Sequence, residues 1–117
     1  MKLFLLGLLI SFSAFAVPKL QLHTPAEIRL HKQVQLPDGN VFEVASFAKE
    51  PEMEGFKKAT VVVNIKKGNQ ISQTVNLNWV TSPQGQNKYS SAKFGPYVIQ
   101  LLGMKYDKSI LITLLKP

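Results

Sequence analysis

At 117 residues, 45% of them apolar and 18% charged, the chain suffices for one hydrophobic core and is too short for two self-standing ones. The absence of cysteine excludes disulfides and cysteine-linked lipid, so stability must come from buried apolar surface. Fourteen basic against seven acidic side chains give a net charge of +7, which suits either an anionic partner or plain solubility.

The N-terminus reads as an export signal. Lys2 precedes an apolar run from Leu3 to Ile10, and the small-residue tripeptide Ala14-Phe15-Ala16 follows. The run is about half of the roughly 20 apolar residues that a spanning helix needs. Cleavage after Ala16 is therefore expected, with residues 17–117 forming a single domain that carries no spanning segment. Loss of Lys2 lowers the basic count to 13 and the net charge to +6. A cysteine-free exported chain fits a bacterial periplasmic or secreted protein.

Past Val17-Pro18-Lys19 the apolar residues repeat every two positions rather than every 3.6. Ile28, Leu30, Val34 and Leu36 predict one half-buried strand with an irregularity near Lys32. Pro37-Asp38-Gly39-Asn40 is a turn by composition, and residues 41–48 return as a strand with Phe42 and Val44 on one face and Glu43 on the other. Residues 49–58 carry Pro51 and Gly55 and read as a loop. Val61, Val63 and Ile65 mark the next strand, and Lys67-Gly68-Asn69-Gln70 turns it. Ile71, Val75, Leu77 and Trp79 then share a face opposite Ser72, Thr74, Asn76 and Asn78, which predicts a hairpin with one wet side.

Residues 81–93 are polar and aperiodic, and they read as the longest loop. Two more strands follow, residues 97–104 and 110–115, separated by a turn around Asp107. Both are apolar on both faces, the pattern of strands covered on two sides or placed centrally. No segment has an amphipathic helical period. About six or seven short strands with regularly spaced turns imply an all-β, antiparallel β-sandwich, Ig-like or similar, with a small barrel as the alternative.

Catalytic and metal chemistry find little support. A nucleophile needs a base within hydrogen-bond reach, and the only histidines, His23 and His31, both lie early in the chain. Glu50, Glu52 and Glu54 resemble a cation loop, but Lys49, Lys57 and Lys58 neutralise them. Met53 and Met104 share no copper-site spacing with the histidines. The expectation is a non-enzymatic protein with no metal and no cofactor.

Long loops on rigid β scaffolds are where binding residues concentrate. The candidate binding residues are therefore Trp79, Gln84, Gln86, Asn87, Lys88, Tyr89 and Lys93, in which cations interleave with aromatics. The expected function is recognition of a protein or cell-envelope component, anionic in character, with nucleic acid not the expected partner. Two alternatives stand beside it. One is electrostatic binding of an envelope polyanion. The other is inhibition of a secreted hydrolase: Phe94-Gly95-Pro96-Tyr97 loosely resembles the Gly- and Tyr-bearing loop of periplasmic lysozyme inhibitors, over these few residues and without the adjacent Ser. That resemblance implies a small β-sandwich presenting a loop to an active-site cleft.

Overall fold

The structure, a computed structural model, describes residues 18–116; the expected export signal at residues 1–16 lies outside them. The described residues form nine strands and no helix: β1 (Ala26–Arg29), β2 (Gln33–Gln35), β3 (Val41–Lys49), β4 (Lys57–Lys67), β5 (Gln70–Thr81), β6 (Asn87–Tyr89), β7 (Ser91–Phe94), β8 (Tyr97–Lys105) and β9 (Ser109–Leu115). They make two antiparallel sheets, one ordered β1-β9-β8-β7 and the other β2-β3-β4-β5-β6. The all-β antiparallel sandwich expected from the period-two pattern is the observed architecture.

The alternation explains the core. Phe42, Val44, Val61, Val63, Ile65, Val75 and Leu77 project inward from the larger sheet and are buried. Ile28, Phe94, Tyr97, Ile99, Leu101, Ile110, Ile112 and Leu114 meet them from the smaller one. The doubly apolar β8 and β9 occupy the two central places of their sheet. Their outward side chains Val98 and Leu115 are half-buried, while Leu111 remains 38% exposed.

Three local expectations are corrected. The single strand foreseen over residues 28–36 is two strands in different sheets, because the chain turns at residues 30–32 with His31 at φ +66°. The irregularity at Lys32 is a sheet change. Second, Ile71 does not join the core. A bulge pairs Ile65 with Gln73 and Lys66 with Ile71, so Ile71 moves to the wet face and is 56% exposed. The Ser72 hydroxyl caps the irregularity by donating to the Ile65 carbonyl at 3.1 Å. Third, residues 81–93 are not one loop but the end of β5, a tight turn, β6 and most of β7.

The two sheets are tied at three corners. Near the N-terminus, Leu20 donates its N–H to the Gln35 carbonyl and His23 donates to that of Leu114, at 2.8 Å each. At the β1–β2 turn, Leu30 donates to the Lys108 carbonyl and His31 to that of Val44, also at 2.8 Å. Between β6 and β7, Ser90 takes its place against both sheets: its N–H donates to the Asn78 carbonyl and its own carbonyl accepts from Leu101. Strands that switch sheets at such corners bring the sandwich toward a small barrel.

Candidate functional site

The 81–93 segment is an ordered hairpin. After Thr81 the chain reverses over residues 82–86, where Ser82 donates its N–H to the Gln86 carbonyl at 2.8 Å and its hydroxyl accepts from the Gln86 N–H at 3.1 Å. β6 then returns along β5 with Trp79 opposite Tyr89, Val80 opposite Lys88 and Thr81 opposite Asn87. Directly paired residues share a face. The pairing therefore splits the candidate residues.

Trp79, Asn87 and Tyr89 belong together. The Trp79 indole N–H donates to Asn87 Oδ1 at 2.9 Å, and the Thr81 hydroxyl donates to the same oxygen at 2.8 Å. Trp79 is half-buried against the core, so it anchors the hairpin while one edge stays wet. Tyr89 is 36% exposed beside it. Gln84, Gln86 and Lys88 line a shallow cleft of about 400 Å³ with Phe56 and Val80. Lys93 stands apart: it lies on β7 in the other sheet, opposite Val98.

Within residues 49–58, which read as a loop from the sequence, the chain forms a closed tight turn. Met53 and Phe56 exchange both backbone hydrogen bonds, at 3.2 and 2.8 Å, around Glu54 at φ +53° and Gly55 at φ +81°. Two successive positive φ values define a mirror-image tight turn, the kind that matches strand twist. A Cβ on Gly55 would lie 2.9 Å from the Pro83 ring, so this tip is packed directly on the 82–86 turn. Its apolar side chains face water, with Met53 73% and Phe56 47% exposed. The legible signal was Glu-Gly flanked by Met and Phe, a short hairpin pattern hidden within a segment dominated by charge.

Beneath the tip, Lys49, Lys57, Lys58, Glu50 and Glu52 line a second cleft of about 390 Å³ with Trp79. Glu50 is engaged by Lys58 at 3.5 Å, and the Lys49 ammonium sits 4.3 Å from the centre of the Tyr106 ring. Among the described residues no three His, Cys, Asp or Glu side chains gather as a metal site. His23 and His31 hold positive-φ corners of the backbone. Phe94 and Tyr97, whose sequence resembles an inhibitor loop, are buried core residues with ring centres 5.5 Å apart. Of these four motif residues, Gly95 and Pro96 alone are exposed.

The arrangement presents an apolar tip on a braced turn, beside the amides of Gln84 and Gln86, the cations Lys57 and Lys88, and the carboxylates Glu52 and Glu54 of its own segment. Among the described residues no helix is long and apolar enough to cross a membrane. No family model, curated protein or solved structure matches this chain.

Proposed function

We propose that this chain is an exported, non-enzymatic binding domain that engages a protein of the cell envelope through the Met53–Phe56 tip and the adjoining β5–β6 hairpin. The observation that carries the reading is the exposure of Met53 and Phe56 on a turn whose backbone is closed by two hydrogen bonds and braced by Pro83. Apolar side chains held out on a rigid support lose little conformational entropy on binding. Gln84, Gln86 and Lys88 supply the polar rim that surrounds a typical interface anchor.

The test is co-purification from envelope extract with wild type and with a Met53→Ser/Phe56→Ser double variant. A partner retained by wild type should be bound about 30-fold more weakly by a variant that melts at the wild-type temperature. Equal binding by a folded double variant refutes the tip. Removing residues 84–88 separately reports on the hairpin. If the partner is a secreted hydrolase, the same tip acts as an inhibitor, which a panel of lysozymes and other hydrolases reads directly. Export is checked by fractionating cells and finding Val17 as the N-terminal residue of the released protein.

A further inference from the structure

Among the described residues a group of four cations lies away from the tip, on the smaller sheet. Arg29, Lys32, Lys105 and Lys108 line one cleft of about 420 Å³ together with Glu27 and Ser109. Strand pairing builds it: Ser109 sits between Arg29 of β1 and Lys105 of β8 in one cross-strand row, and Leu111 places Glu27 in the next. Lys32 and Lys108 come from the two turns that flank this row. Those turns are fastened together by the bond from the Leu30 N–H to the Lys108 carbonyl, and each closes on itself through Lys32 to Arg29 and Lys108 to Lys105 bonds.

Among the described residues one carboxylate, Glu27, lines the cleft with these four cations, and it is already occupied; Asp107 lies outside the lining, in the turn beside Lys108. Glu27 Oε2 accepts from the Ser109 hydroxyl at 2.9 Å and lies 3.4 Å from Lys105 Nζ. The Ser109 hydroxyl first, then Lys105, hold the Glu27 carboxyl below its ordinary 4.5, so it stays ionised beside Lys105. Arg29, Lys32 and Lys108 make no ion pair among the described residues. The cleft lining therefore carries four cations against one carboxylate, two on the ends of β1 and β8 and two on the braced turns beside them. An adjoining cleft of about 350 Å³ shares Arg29 and Lys32 and adds Lys19, extending the positive surface.

We infer that the Arg29–Lys32–Lys105–Lys108 cleft is a binding site for a polyvalent phosphate-bearing anion, either a free phosphorylated solute or a phosphate headgroup of a lipid. The Arg29 fork suits paired phosphate oxygens, and the lysines act as point charges around them. A cleft with cations on separate elements fits an anion with more than one charged oxygen group better than a single carboxylate. This site is independent of the Met53–Phe56 tip and stands or falls separately.

The experiment uses two probes at low salt, where a surface site is least screened: inorganic pyrophosphate by calorimetry, and phosphatidylcholine vesicles carrying phosphatidic acid by co-sedimentation. Lys32→Glu and Lys108→Glu are each expected to weaken binding by at least about ten-fold, one lost charge-assisted contact plus the repulsion of the introduced carboxylate. Lys67→Glu, an identical charge change at the exposed end of β4, is the control and should have little effect. Cleft-dependent binding of pyrophosphate alone supports a free solute, and cleft-dependent binding of the vesicles supports a headgroup. Failure to bind either probe, or equal weakening by Lys67→Glu, overturns the site, since binding would then be absent or follow net charge alone.

Discussion

Replacing Ser90 by alanine removes one hydroxyl from the corner where the chain leaves one sheet for the other. In the native fold Ser90 Oγ accepts from the Asn78 backbone N–H at 2.7 Å, and the Ser90 N–H donates to the Asn78 carbonyl at 2.9 Å. The carbonyl of Ser90 accepts from Leu101 at 3.1 Å, so one residue joins β5 to β8. Alanine keeps both backbone bonds and orphans only the Asn78 N–H. Leaving such a donor unsatisfied costs about 1–3 kcal/mol when fully buried. Ser90 is half-buried, so the lower part of that range applies, about 1–2 kcal/mol. For a domain of this size that lowers Tm by about 5–15 °C. Thermal unfolding followed by circular dichroism measures it, with Ser91→Ala on the exposed neighbouring position as the control. Amide exchange adds a local readout: the Asn78 N–H should lose protection selectively. A Ser90→Ala protein within about 0.5 kcal/mol of wild type, with Asn78 still protected, would refute the claim that this hydroxyl ties the corner.

Gly55→Ala should cost about 1–2 kcal/mol through its left-handed backbone alone, and it should loosen exchange at Met53 and Phe56 because the new Cβ meets Pro83. An unchanged tip would contradict the close packing of the two turns. Ile71→Thr should alter urea stability by no more than about 0.5 kcal/mol, whereas Leu77→Ala on the same strand should cost about 2–5 kcal/mol. Equal costs would mean that the bulge at Ser72 is misplaced. Burial is the largest single influence on Glu43 and pushes its carboxyl up, but Lys66 at 3.0 Å, Gln33 at 3.1 Å and the charge of His31 together hold it below its ordinary 4.5. A lowered native value means stabilisation that is complete above 4.5 and fades as pH falls through that lower value. Glu43→Gln should therefore flatten the acid side of the stability profile and leave its slope near neutral pH unchanged; a steeper acid loss would reverse the assignment.

Much of the fold can be read from local pattern because a strand with one buried face must alternate. Val61, Val63 and Ile65 need no knowledge of their partners to be recognised as inward. The Gly68-Asn69 reversal is equally local, with Gly68 at φ +63° taking a conformation that glycine adopts without strain. Ile71 shows where such reading stops. Its parity matches Val75 and Leu77, yet one bulged residue on β5 exchanges the faces, and nothing near Ile71 announces the insertion. The candidate site was legible in the same partial way. Residues 83–89 do lie exposed at the edge of the larger sheet, while residues 91–93 join the smaller one; the polarity of the segment hid these short paired strands, and the charge around Met53 and Phe56 hid a braced apolar tip.

Period, turn chemistry and composition, all properties of neighbouring residues, determine that this chain is an all-β, cysteine-free domain with a single core. Which strands become neighbours is decided only when distant segments meet to bury their apolar faces together. Residues 26–29 pair with residues 109–112 across nearly the whole described chain. That contact closes the smaller sheet and carries Arg29 and Lys32 to Lys105 and Lys108. Along the sequence these are isolated cations; the tertiary structure makes them one cleft, because the energy that pairs β1 with β9 comes from Ile28, Ile110 and Ile112 on the opposite, buried face.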